Sequence, residues 1–244
     1  DVIDTIKDAF SNDNEKEKPV PAKPQLAEEY VPEHPSESDP MSDEDHDWDS
    51  ELALKDEDFT YDEDQALINP QFDPYEDEYS MNCAYCTAAY DLRMRGYDVE
   101  AMPFDPDTYN ANMEAISEWY ENTTTDDWTI EYEHTAYYPD TGEIESIRHK
   151  DVLENTGRTL EDMPDGSYGQ FCVYWNVGGG HSMVWSTQNG YVEIRDCQSN
   201  QTFTYSEWVD VYGDYVDATS ILRTDNREPT EKILETVRNR REDD

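Results

Sequence analysis

Glycine and cysteine are both missing from the first 80 of the 244 residues; all ten glycines and all four cysteines lie beyond them. Basic residues are scarce everywhere, with 17 Lys plus Arg against 60 Asp plus Glu and a formal net charge of -43. That scarcity argues against nucleic acid or an anionic membrane as partner, because phosphate contacts need a basic face. Long apolar runs are also lacking. No stretch approaches the roughly 18 residues of a membrane span, and the first residues lack the basic-then-apolar order of a signal peptide. The chain opens on Asp1 rather than Met and so reads as a segment of a longer protein.

What is present divides the chain in two. Residues 1–80 hold 27 acidic and 5 basic side chains, a net of -22, together with 8 of the 13 prolines. Apart from a short helical hint in Val2, Ile3, Ile6 and Phe10, apolar residues there follow no period. Such a composition buries too little surface to offset chain entropy. We expect an acidic, proline-rich, largely disordered linker over residues 1–62, a folded domain over 63–227, and a C-terminal helical tail over 228–244. In that tail Ile233, Leu234 and Val237 form an apolar stripe with arginines behind them, as in an amphipathic helix that docks on the domain.

Within the folded part the order is helix first, antiparallel sheet afterwards, an α+β domain. Asn82 is a good N-cap residue, and residues 83–95 read as a helix stopped by Gly96. An extended run follows to Met102. A second helix fits residues 107–120, with Tyr109, Met113, Ile116 and Tyr120 at helical spacing. Residues 128–132 form a weak strand, Pro139-Asp-Thr-Gly142 a turn, and residues 151–162 a short helix. Residues 170–176 alternate as a strand. Two further runs, 181–187 and 191–196, flank Asn189-Gly190, the strongest short hairpin signal. A helical turn over 206–212 and a strand over 218–223 complete the domain.

The cysteines admit three readings. As a nucleophile, Cys83 stands in the first turn of a helix, where backbone N–H groups and the dipole favour the thiolate and can hold an oxyanion. His181 opens a strand directly after three glycines, and Gly180 lets bare backbone line a cleft. If the hairpin closes at Asn189-Gly190, Asp196 falls beside His181, where a carboxylate fixes the ring tautomer. As zinc ligands, Cys83, Cys86, Cys197 and His181 supply the right atoms but lack a second knuckle of matching spacing. As core, Cys86 and Cys172 sit on a helix interior and in an alternating strand. His34, His46, His134 and His149 have polar neighbours and read as solvated groups. The acidic runs near residues 42–45 and 56–58 lack the spacing of a calcium loop. No metal and no cofactor are expected.

The run from Tyr79 to Ala101, with Asn82-Cys83, then Arg93-Met-Arg-Gly96, then Val99-Glu-Ala101, resembles the opening motif of the papain-fold toxin family. These are predicted glutamine deamidases found as C-terminal domains of bacterial polymorphic toxins and of some phage head-associated proteins. The resemblance continues in Gly179-Gly-His181-Ser-Met-Val-Trp185, in Asp196-Cys-Gln198 and in Arg223-Thr-Asp-Asn226. It implies a papain-like fold with Cys83 as nucleophile, His181 as base and Asp196 as orienting acid. Asn82, Gln198 and Gly180 are implied at the oxyanion and substrate. Cys197 departs from the family's usual proline.

The implied reaction is hydrolysis of a glutamine side-chain amide on a target protein through a Cys83 thioester. The same three groups serve a cysteine protease or a transglutaminase, and a non-enzymatic acidic or virion-associated module is a rival of another class. Expected partners are a target protein bearing a reactive Gln, a cognate immunity protein and a fused or upstream carrier. The expected place of action is the target-cell cytoplasm, after secretion or phage delivery.

Overall fold

The computed structural model describes residues 52–55, 59–108, 116–138, 143–147 and 149–240. In chain order these form α1 (Tyr61–Ala66), α2 (Asp77–Ser80), α3 (Cys83–Met94), β1 (Val99–Ala101), β2 (Thr129–Tyr132), β3 (His134–Tyr138), β4 (Glu143–Ile147) and α4 (His149–Glu161). They continue through β5 (Tyr168–Trp175), β6 (Gly180–Gln188), β7 (Tyr191–Asp196), β8 (Gln201–Thr204), α5 (Tyr205–Tyr212), β9 (Val216–Arg223) and β10 (Val237–Asn239). Six strands make one antiparallel sheet in the order β2-β9-β5-β6-β7-β8, while β1 pairs with β10 and β3 with β4. The α+β class and the helix-then-sheet order are as expected.

Two cores lie on either side of the sheet. Alternation along β5 sends Phe171 and Val173 to one face, where Met183, Trp185, Ile194 and Ile221 meet Leu160 of α4 and Trp208 of α5. Phe171 and Trp208 meet edge to face with centroids 5.0 Å apart, the arrangement the ring quadrupoles favour. Val184, Leu222 and Cys197 pack instead against α3. Every residue from 83 to 93 is buried, so α3 runs through the core and its first residue is held on all sides. Two helices start on reciprocal capping boxes, Thr60 with Glu63 and Thr204 with Glu207, each satisfying two otherwise orphaned backbone donors.

The hairpin signal holds. Asn189 and Gly190 both have positive φ, 52° and 78°, as a two-residue turn matching the strand twist requires. Thr187 pairs with Val192 and Val184 with Arg195 in the resulting ladder.

Three expectations are corrected. The linker does not extend to residue 62. Leu52 is buried, Asp98 N donates to Ala53 O at 2.7 Å, and Lys55 N donates to Gly96 O at 2.9 Å. Residues 52–55 thus cover the turn after α3, because Leu52 and Leu54 interrupt the acidic run just where an open backbone edge awaits a partner. Residues 1–51, including the helical hint at Val2 and both His34 and His46, lie outside the described residues.

The second correction concerns residues 107–120. Residues 106–108 are helical as expected, residues 109–115 lie outside the described residues, and beyond them Ile116–Glu118 is a 3-10 turn, not the end of an α-helix. Tyr120 forms a bridge with Pro229, Glu121 N donates to Glu228 O, and Thr230 N donates to Trp119 O. Backbone groups that a helix would consume are spent on the chain's C-terminal segment. The turn expected at Pro139 also lies outside the described residues, between the paired ends of β3 and β4.

Third, the tail docks on the domain but not as an α-helix. Glu231–Thr236 is a 3-10 helix and β10 runs antiparallel to β1, Val99 opposite Asn239 and Ala101 opposite Val237. The edge of β1 supplies the reason: it needs hydrogen-bond partners, and the extended end of the tail buries Val237 while Arg238 beside it stays partly exposed. Arg238 Nε then reaches Glu100 at 2.6 Å and Arg240 Nη1 reaches Asp98 at 2.9 Å.

These tail contacts close a buried ion network at the far end of α3. Arg93 donates to Asp64 at 2.9 Å, to Asp98 at 2.8 Å and to Val99 O at 3.0 Å. Burial opposes ionisation of Asp98, but its bonds to Arg93 and Arg240 prevail and hold it below the usual carboxylate range. We expect Arg93→Ala to cost about 3 kcal/mol, because two largely buried carboxylates lose their common partner. Chemical denaturation checks this through a lowered midpoint, and Arg93→Lys should restore little, since one ammonium cannot replace the fork.

Candidate active site

The site assembles where the start of α3 meets the ends of β6 and β7. Cys83 is the first residue of α3 and is buried, 6% exposed. His181 lies one residue into β6, opposite Val173 of β5. Gly178 and Gly179, at φ 90° and 79°, turn the chain through conformations that side-chain-bearing residues resist, and so deliver the histidine at the strand's start. Continuing the β6–β7 register one step sets Asp196 opposite Met183, on the diagonal to His181 and on the same face.

His181 Nε2 lies 3.1 Å from Asp196 Oδ2, and the Cys83 thiol hydrogen-bonds the same imidazole. The His181 and Asp196 side chains are only 15% and 13% exposed, so the pair is largely desolvated. Burial works against a charged imidazole, but the Asp196 carboxylate and the bonds to Asp196 and Cys83 outweigh it, raising His181 to about 10. Burial likewise opposes the Asp196 carboxylate, while the imidazolium and Ser199 hold it below its ordinary value. An ion pair at neutral pH is the state both shifts favour.

Asp196 is itself fastened. Its Oδ1 accepts from Gln198 N at 3.1 Å and Ser199 N at 3.4 Å, and its Oδ2 from Ser199 Oγ at 2.7 Å. This is an Asx turn closed by a serine, and the D-x-x-S spacing of the sequence encodes it.

Asn82 takes the N-cap position but makes no capping bond. Its side chain is fully buried; Nδ2 donates to Asn69 Oδ1 at 3.3 Å and Met102 O at 3.0 Å, and Oδ1 accepts from Gln198 Nε2 at 3.2 Å. Both amide hydrogens of Asn82 are therefore committed beneath the helix start, which places this residue as a support. Gln198, also buried, keeps one N–H beyond the bond to Asn82. Gly180 begins β6 beside the histidine.

The other thiols differ in kind. Burial raises Cys172 to about 12 and pushes Cys86 and Cys197 well up, so these three stay protonated. No disulfide joins any of the four cysteines. Among the described residues no group of three or more His, Cys, Asp or Glu converges as a metal site, and His181 turns Nε2 to Asp196. The side chains of His134 and His149 lie outside the described residues.

A helix-start thiol, an imidazole and a fixed carboxylate in this chain order, on a helix packed against an antiparallel sheet, form a papain-like arrangement. Residues 81–201 match the family model of papain fold toxin 1, glutamine deamidase. The folded domain belongs to this family. The match spans Cys83, His181 and Asp196 together, and at family level it makes the domain a toxin-class hydrolase of the glutamine deamidase type. Comparison with curated proteins gave no match. Among the described residues no helix of this papain-fold toxin domain is long and apolar enough to cross a membrane.

Proposed function

We propose that the domain hydrolyses the side-chain amide of a glutamine on a target protein, with Cys83 as nucleophile. The observation that carries this reading is the imidazole of His181 held between the Cys83 thiol and Asp196 Oδ2 at 3.1 Å. The imidazolium and the helix start together favour a thiolate, which attacks the carboxamide carbon. The oxyanion is held by the Cys83 N–H and the remaining N–H of Gln198. His181 gives its proton to the departing ammonia, then takes one from the water that cleaves the thioester, leaving glutamate and a free thiol. Asp196 keeps the ring oriented and stabilises its charge.

A Gln to Glu change adds one negative charge to the target, enough to disable a residue that must remain neutral. The net charge of -43 favours a target with a basic contact surface and an association weakened by salt. In this reading the domain is the effector end of a secreted or phage-delivered carrier, acts in the target-cell cytoplasm and is restrained by an immunity protein.

Ammonia release from candidate target proteins tests the reading, and its pH dependence adds detail. A group raised to about 10 in the folded state holds its proton through neutrality, so the imidazolium and its stabilising charge persist until pH rises towards 10. Asp196, lowered in the folded state, protonates only well into acid, and its contribution is lost as pH falls. Turnover should therefore hold on the alkaline side of neutrality and decline as pH approaches 10. A profile rising steeply between pH 9 and 11 would mean that a neutral imidazole, not an imidazolium, governs the rate-limiting step.

A further inference from the structure

The thiol and the acid of the site are carried by different parts of the domain, the start of α3 and the end of β7, and a cluster of buried amide side chains joins them. Asn69, 7% exposed, lies in the segment before α2, outside residues 81–201 of the family match. Its Nδ2 donates to Tyr79 O at 2.9 Å, in the stretch that leads into Cys83. The same nitrogen donates to Gln198 O at 3.0 Å, in the turn that holds Asp196. Both partners are carbonyl oxygens, which only accept, so the orientation of the amide is fixed by chemistry. Asn69 Oδ1 in turn accepts from Asn82 Nδ2 at 3.3 Å, and Asn82 Oδ1 accepts from Gln198 Nε2 at 3.2 Å. Three amides thus close a ring under the start of α3.

We infer that Asn69 is a positioning residue: it clamps the Asp196 turn to the start of α3 and so holds His181 against Cys83. It touches no reacting atom and acts through Asn82 and Gln198. Burial makes the clamp stiff, since none of these amides can exchange its partners for water without cost. The backbone around Asn69 is anchored independently, with Ala101 N donating to Ile68 O at 2.9 Å and Phe72 N donating to Asn69 O at 3.1 Å. Loss of the side chain therefore removes the clamp more than the loop.

The test uses alkylation of Cys83 by iodoacetamide, followed by peptide mass spectrometry, at pH 6 and at pH 10. At pH 6 the thiolate exists only where the imidazolium supports it; at pH 10 an ordinary thiol ionises too. For Asn69→Ala and Asn69→Asp we expect the rate at pH 6 to fall roughly tenfold or more, while that at pH 10 stays within about twofold. Asn69→Asp removes both donors but keeps the shape and the acceptor. A merely structural role predicts the opposite pattern, because a loosened fold exposes Cys83 and raises its rate at both pH values.

Equal rates for wild type and both variants at pH 6 would overturn the assignment, as would a rise at both pH values. The inference rests on the Cys83–His181–Asp196 reading, but alkylation needs no glutamine substrate. Absence of deamidation with an intact pH 6 effect would thus strike the proposed reaction and spare the clamp. With a substrate in hand, the Asn69 variants should lose kcat and keep KM.

Discussion

Cys83→Ala is expected to abolish ammonia release from the target and to leave the fold intact. The expected loss is at least about 10⁴-fold, because removing the nucleophile of a thiol hydrolase leaves only binding and oxyanion stabilisation. The substitution deletes one sulfur atom at the start of a helix whose next ten residues are buried, so thermal unfolding should shift little. Cys86, one turn further on, cannot substitute. Burial pushes its thiol well above the ordinary range, and it donates to Asn82 Oδ1 at 3.5 Å, away from the histidine. Ammonia release by Cys83→Ala at the wild-type rate would move the nucleophile elsewhere.

Asp196→Asn is the second large effect. The carboxylate accepts from His181 Nε2 at 3.1 Å, which leaves the other ring nitrogen for the thiol and supports the imidazolium. An amide in its place offers no charge and can present N–H groups to Nε2, favouring the tautomer unable to take the thiol's proton. We expect kcat to fall by about 10² to 10⁴ with KM nearly unchanged, the pattern of an interaction used in the transition state. His181 should then lose its proton closer to neutrality, and the fraction of Cys83 alkylated at pH 6 should drop with it. A variant with unchanged kcat would show that Asp196 serves the fold alone. Its neighbours argue otherwise, since Ser199 and two backbone N–H groups hold the carboxylate in one orientation.

These two effects depend on a geometry that was partly legible in the residues. Asn189-Gly190 reported the hairpin because both turn positions need positive φ, and the hairpin brings Asp196 to His181. Asn82-Cys83 before an uninterrupted buried run marked a helix start, and the three glycines marked where a strand must begin at a bend. Local chemistry fixed these features. The tail misled for the opposite reason. Its apolar spacing suits an α-helix, but the open edge of β1 and the charges of Asp98 and Glu100, about 140 residues earlier in sequence, draw it out as a strand. No pattern within the tail encodes that edge.

The supports of the site were hidden likewise. Asn82 reads as an N-cap on composition, yet its amide is spent on Asn69, Met102 and Gln198, partners up to 116 residues away. Asn69 stands before a proline and reads locally as a turn residue; only the fold reveals that it spans the two halves of the site. Leu52 to Lys55 looked like part of an acidic arm, because composition averaged over a window conceals four residues that bind the turn after α3 and bury one leucine. The candidate site residues were legible where a local motif carries them, and their supports were not, because supports are made by contacts distant in sequence.

The most direct test is the intact mass and peptide map of a target protein after incubation with wild type and with Cys83→Ala. Our account predicts a gain of about 1 Da on one glutamine with wild type only, as OH replaces NH₂ with no backbone cut. Two shorter products summing to the target plus water would identify a protease, and a target altered equally by Cys83→Ala would contradict the account.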